Sequence, residues 1–88
     1  MDDLLGSLSA PLLRLIESTL SNDDVSADAD LVSYFVRRGL TQDQAIRALS
    51  YRSSYLLNFF LEGHTPIRKG NDAIRFNPDT SRFEPLKR

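Results

Sequence analysis

The sequence predicts a mainly α-helical fold: a small bundle of about four short helices closed by a C-terminal β-hairpin. Three observations carry it. Leu8, Leu12, Leu15, Ile16 and Leu20 recur at three- and four-residue spacing, the apolar stripe of an amphipathic helix. Thr41 and Gln44 stand three apart as a capping box ahead of Ala45, Ile46, Ala48 and Leu49. Further on the period changes. Ala73-Ile74-Arg75-Phe76 and Ser81-Arg82-Phe83-Glu84 alternate on either side of the turn signal Asn77-Pro78-Asp79-Thr80.

The elements follow in order. Pro11 suits the first turn of helix one, with Ser9 or Ala10 ahead of it. The polar run from Ser21 to Ala27 predicts a loop. Ser26 or Asp28 is placed to cap a second helix carrying Leu31, Val32, Phe35 and Val36. Arg37 and Arg38 lie in its last turn, where cations suit the dipole, and Gly39 stops it. Helix three follows the capping box, and Ser50 to Ser54 predicts a turn. Ser53 or Ser54 then caps a fourth helix from Tyr55 to Glu62, ended by Gly63. From Thr65 the helical period is gone. The hairpin puts Ile74, Phe76 and Phe83 on one face, and Pro85 suits an edge strand. The expected organisation is a helical unit over 1–64 and a hairpin or tail over 65–88, packed on it or extending from it.

Eighty-eight residues allow one domain and exclude barrels and doubly wound nucleotide-binding folds. With no Cys there are no disulfides or thiolate metal sites, and one His builds no zinc site alone. A small core without staples makes a homodimer the expected state. The start Met1-Asp2-Asp3-Leu4 has no basic stretch, and no apolar run reaches the roughly 18 residues of a membrane helix. The expectation is therefore a cytoplasmic protein with no membrane partner.

The net charge of −1 hides an asymmetry. Residues 1–35 hold seven acids against Arg14 alone, a charge of −6, whereas 36–88 hold ten bases against five acids, a charge of +5. Local potential steers partners more than net charge does. Two readings stand at equal weight: a positive surface for a polyanion, or two halves that pack and neutralise each other.

Catalytic readings find no support in the residues. No Cys nucleophile is present, and His64 beside Gly63 has no marked nucleophile near it. His64 is expected near the carbonyl end of the fourth helix. Asp23, Asp24, Asp28 and Asp30 lack the Gly and terminal Glu of a calcium loop, and Lys69-Gly70 has no upstream Gly at phosphate-loop spacing. The expectation is a protein with no enzymatic role and no cofactor or metal.

Leu40-Thr41-Gln42-Asp43-Gln44-Ala45, Leu49, a short turn and Ser53-Ser54-Tyr55-Leu56 resemble the helix-turn-helix of phage-repressor-like DNA-binding domains. The resemblance implies that the second helix enters the major groove, with Gln42, Arg52, Ser53, Ser54 and Asn58 facing DNA. Leu49, Leu56 and Phe59 would hold the helix pair together. Three features depart from that pattern. Ile46 replaces a small residue, Ser50 replaces the turn Gly, and Tyr55 to Leu61 is apolar on nearly every side. A helix apolar all round belongs in a core or a dimer seam. The same stretch, Arg38 to Leu49 with Asn58-Phe59-Phe60-Leu61-Glu62, also resembles ubiquitin-associated-like three-helix modules. That resemblance implies a small apolar patch for partner proteins, although the intervening loop is about three residues shorter than those modules have.

The leading expectation is a small DNA-binding or regulatory protein that uses this helix pair and a basic hairpin. Its contacts would be Gln42, Arg47, Arg52, Ser53, Ser54, Asn58, Arg68, Lys69, Arg75 and Arg82, with Lys87 and Arg88 adding charge. The alternative is a protein-interaction module or adaptor with no nucleic-acid role, whose partner or dimer surface is Tyr55, Leu57, Phe60 and Leu61. Candidate partners are thus double-stranded DNA, another protein and a second copy of the chain.

Overall fold

The computed structural model describes residues 1–85, apart from the side chain of Asn71. It is mainly helical with a two-stranded antiparallel hairpin, the fold class expected from the sequence. The elements are α1 (Ala10–Asn22), α2 (Asp28–Arg37), α3 (Gln42–Leu49), α4 (Arg52–Leu57), a single turn α5 (Pro66–Lys69), β1 (Ile74–Asn77) and β2 (Arg82–Pro85). A 3-10 turn, Gly70–Asp72, joins α5 to β1.

Local chemistry accounts for most boundaries. The Ser9 hydroxyl accepts from the Leu12 N–H, and Pro11 occupies the first turn of α1. Thr41 and Gln44 close the capping box, with bonds of 3.1 and 2.9 Å onto the Gln44 and Thr41 amides. Gly39 has φ +117°, a conformation that favours glycine, and lets α2 stop. The cap of α2 differs from expectation. It falls on Ala27, without a side-chain bond, because Asp23 accepts from the Val25 and Ser26 amides and the Ser26 hydroxyl. That Asx-type turn shapes the loop and leaves Ser26 unavailable as a cap.

The fourth helix is displaced from its expected span. It starts at Arg52 rather than Tyr55, capped by neither Ser53 nor Ser54, and ends at Leu57 rather than Glu62. Asn58 is extended, with φ −135° and ψ 152°, and Nδ2 donates to the Ser54 carbonyl at 3.0 Å. Beyond it Phe59 to Leu61 run alongside β1. The Phe59 carbonyl accepts from the Phe76 N–H, the Leu61 N–H donates to Ile74, and Phe60 bridges Arg75 antiparallel. Long-range pairing thus overrides the helical reading of an apolar run. The region after Thr65 also holds α5, which Pro66 opens at a first-turn position.

The core gathers Leu5, Leu13, Ile16, Leu20, Phe35, Leu40, Ala45, Ala48, Tyr55 and Ile67. On α1 the buried stripe is Leu13, Ile16 and Leu20, with Leu12 packed at its margin and Leu15 half-buried, and Leu8 packs on the core from ahead of the helix. α2 packs on α3 and α1 on α4. Ala45 and Ala48 are both fully buried, so small side chains let the helices approach. Burying a side chain such as Phe35 contributes about 1.5–3 kcal/mol. Residues 65–85 pack on the helices, since Ile67 lies in that core and its carbonyl accepts from the Asp2 N–H.

β1 and β2 pair in the register Arg75↔Glu84 and Phe76↔Phe83. Alternation then puts Ile74, Phe76 and Phe83 on one face, as expected. In the turn, the Asn77 side-chain oxygen accepts from the Asp79 N–H at 2.9 Å, and Ser81 adopts φ +56°.

Candidate functional site

Part of the charge asymmetry is paired inside the molecule. Among the described residues there are four ion pairs: Arg47 with Asp2 at 3.1 Å, Arg52 with Asp28 at 2.6 Å and with Asp23 at 3.9 Å, and Arg68 with Glu17 at 2.8 Å. Each joins an acid of the first 35 residues to a base of the rest.

Three of the residues expected at DNA, Arg47, Arg52 and Arg68, sit in these pairs. The Arg52 side chain is 14% exposed and also donates to the Asp23 and Ser26 carbonyls at 3.0 and 2.6 Å. It closes the loop between α1 and α2, so this side chain at the start of α4 is bonded within its own chain. Arg68 is committed to Glu17. Arg47 remains half exposed, but its guanidinium is engaged by an Asp2 carboxylate whose side chain is 3% exposed. Asn58 is tied to the Ser54 carbonyl. Gln42 and Ser53 are exposed, and Ser54 is half-buried. Lys69 and Arg82 are exposed and Arg75 half-buried, and no ion pair among the described residues holds them. Lys87 and Arg88 lie outside the described residues.

Asp2 is a junction that the sequence did not announce. Oδ1 accepts from the Leu4 and Leu5 amides, and Oδ2 from Arg47 and from the Tyr51 hydroxyl at 2.5 Å. Burial alone raises its carboxyl, but bonds from Tyr51, Leu5, Arg47 and Leu4 outweigh it and hold the group below its ordinary 3.8. Burial, then the bond to Asp2 and its charge, push the Tyr51 hydroxyl up to about 12. Tyr55 forms a second junction. Its hydroxyl donates to Glu17 at 2.6 Å and accepts from the Ile67 N–H at 3.4 Å. Burial, and next the bond to Glu17, raise Tyr55 well above the ordinary tyrosine range.

The expected partner surface divides. Tyr55 is buried and belongs to the core. Phe60 is half-buried, its ring centroid 5.6 Å from that of Tyr55, and Leu61 is half-buried where its N–H meets β1. Leu57 is on the surface, 82% exposed. Sequence reasoning placed Phe59 between helices, yet it is 70% exposed, with its ring 6.4 Å from that of Phe83. Phe83 is itself 43% exposed and meets Phe76 edge-on at 5.5 Å. Reading Asn58 to Leu61 as a strand would have found Phe59, because alternation turns it away from Phe60.

Leu57 and Phe59 stand at a groove of about 770 Å³ between α1 and the segment after α4. Arg14, Glu17 and Ser18 of α1 line it, together with Arg68 of α5. His64 lies in a turn, not at a helix end, with Nδ1 3.1 Å from the Glu62 carbonyl. Among the described residues no cluster of three His, Asp or Glu is placed to hold a metal ion, and no helix is long and apolar enough to cross a membrane. Compared with known proteins, the chain matches no family model, no curated protein and no solved structure.

Proposed function

We propose that the chain is a small, non-enzymatic protein-interaction domain that docks an apolar-anchored segment of a partner protein at Leu57 and Phe59. One observation carries this reading. Two large apolar side chains, 82% and 70% exposed, line one groove. Exposed apolar side chains grouped beside a concavity mark docking sites. The internal use of Arg52 and Arg68 supports the same reading, because it withdraws cations from a polyanion surface.

Panning a random displayed-peptide library against the folded chain tests it. Peptides with a shared apolar anchor are expected, and Leu57→Ser with Phe59→Ser should weaken them at least tenfold at an unchanged melting temperature. The reading fails if no consensus emerges, or if the double variant binds the consensus as well as the parent.

DNA binding is a second reading. It is supported by exposed Gln42 and Ser53 and by Lys69, Arg75 and Arg82, which no ion pair among the described residues holds. Retardation of mixed duplex DNA at low salt, lost on Arg75→Glu with Arg82→Glu, is its expected result. No retardation at ~100 μM protein removes it.

A further inference from the structure

Backbone geometry leaves one edge of the small sheet open. Ile74 uses both its N–H and its C=O on the 61–64 side, bonding Leu61 and His64, and Phe76 donates to Phe59. Residues alternate along a strand, so Arg75 and Asn77 direct their backbone groups at β2, where they face Glu84 and Arg82. Phe83, between those two, therefore turns its N–H and C=O away from β1. No strand lies beyond β2 among the described residues.

We infer that this edge pairs with a second copy of the chain, β2 antiparallel to β2 about a two-fold axis at Phe83. Register and charge select this occupant. A symmetric antiparallel pairing of β2 with its own copy can centre on Arg82, on Phe83 or on Glu84. One sets Arg82 opposite the partner copy's Arg82, and another sets Glu84 opposite Glu84. Like charges directly opposed are destabilising. The third centres on Phe83. There each Phe83 exchanges both backbone bonds with its counterpart, and each Arg82 faces a Glu84 in the closer, non-hydrogen-bonded position. Arg82 is exposed and in no ion pair among the described residues, while Glu84 already accepts from Asn77 and Thr80, so the incoming cation adds to an ordered carboxylate.

Pro85 fits the same arrangement. It has no N–H, so it ends the pairing after the central bonds instead of letting the edge recruit further strands. The rings of Phe83, 43% exposed in one chain, come together across the axis. The result is self-complementary and closed, as a two-fold interface must be. It is small and therefore reversible. It goes beyond the docking groove, and neither reading depends on the other.

Sedimentation equilibrium of the full chain and two charge variants tests it. The parent is expected to be dimeric at ~100 μM and to dissociate on dilution. Arg82→Glu alone sets acids against acids and should weaken the dimer at least tenfold. Glu84→Arg alone should do the same by setting bases against bases. The two variants mixed should form a heterodimer, because each strand then meets its opposite. Glu84 also steadies the turn, so amide spectra check that its variant keeps the hairpin. If it does not, Arg82→Glu decides alone. A monomeric parent, an Arg82→Glu dimer as tight as the parent, or two folded variants that fail to pair would each overturn the inference.

Discussion

Arg52 and Asp28 meet at 2.6 Å across 24 residues of sequence, and the same guanidinium holds two carbonyls of the loop that leads into α2. Its planar fork suits several acceptors at once. Arg52→Ala should destabilise the fold by about 2 kcal/mol, since it strands partly buried acceptors. Arg52→Lys should recover little, because an ammonium does not span them. Urea denaturation of the three proteins checks this. Unchanged stability in Arg52→Ala would return the residue to the surface role the sequence suggested.

Acid stability should depend on Asp2. Its folded carboxyl titrates below the ordinary 3.8, so its contribution is complete above that pH and fades as pH falls through the folded value. Thermal melts between neutrality and strong acid should show a falling Tm that Asp2→Asn flattens. An equal acid slope in both proteins would mean that the carboxylate gains nothing from its four donors.

The opposite sign holds for Tyr51. Its folded hydroxyl is raised to about 12 from 10.0, so its share of stability is present below pH 10.0 and lost as pH rises through the folded value. Tyr51→Phe should be the less stable protein near neutrality and should lose less on alkaline titration. Denaturant unfolding of both proteins at neutral and at alkaline pH measures both effects.

Tyr55→Phe removes a hydroxyl that links α1, α4 and α5 through Glu17 and Ile67. A loss of about 1–2 kcal/mol is expected in denaturant unfolding. Amide exchange should rise at Ile67, whose N–H loses its acceptor. A protected Ile67 amide in the variant would show that α5 is held by packing alone.

Leu57→Ser should leave stability within about 0.5 kcal/mol, because the side chain contributes almost nothing to the core. Calorimetry checks it, and a large loss would place Leu57 in packing instead of on a docking surface.

Local signals were the legible part of the fold. Thr41 and Gln44, Gly39, Pro11 and the Asn77–Thr80 turn each act through neighbours a few residues away, and each fixed its element. Tyr55 to Leu61 was not legible in the same way. Its apolar run satisfies a buried helix and a buried strand equally, and the choice rests with β1, which comes more than ten residues later. The candidate site suffered more. Leu57 could be placed on the surface, but Phe59 was misassigned once the helix was drawn too long. Whether Arg47, Arg52 and Arg68 face solvent or an acid is decided by partners 24 to 51 residues away. The charge asymmetry was visible, but its pairing needed the tertiary structure.

The four ion pairs also limit how the chain can change. Because each joins an early acid to a late base, a sign reversal at Asp2, Glu17 or Asp28 finds its compensating partner in a distant stretch of the sequence. Single charge reversals at these positions should be poorly tolerated, while paired reversals across the two stretches should be accepted. Substitutions in the two parts of this chain are therefore expected to covary, and shuffled hybrids should fold best when both parts come from the same parent.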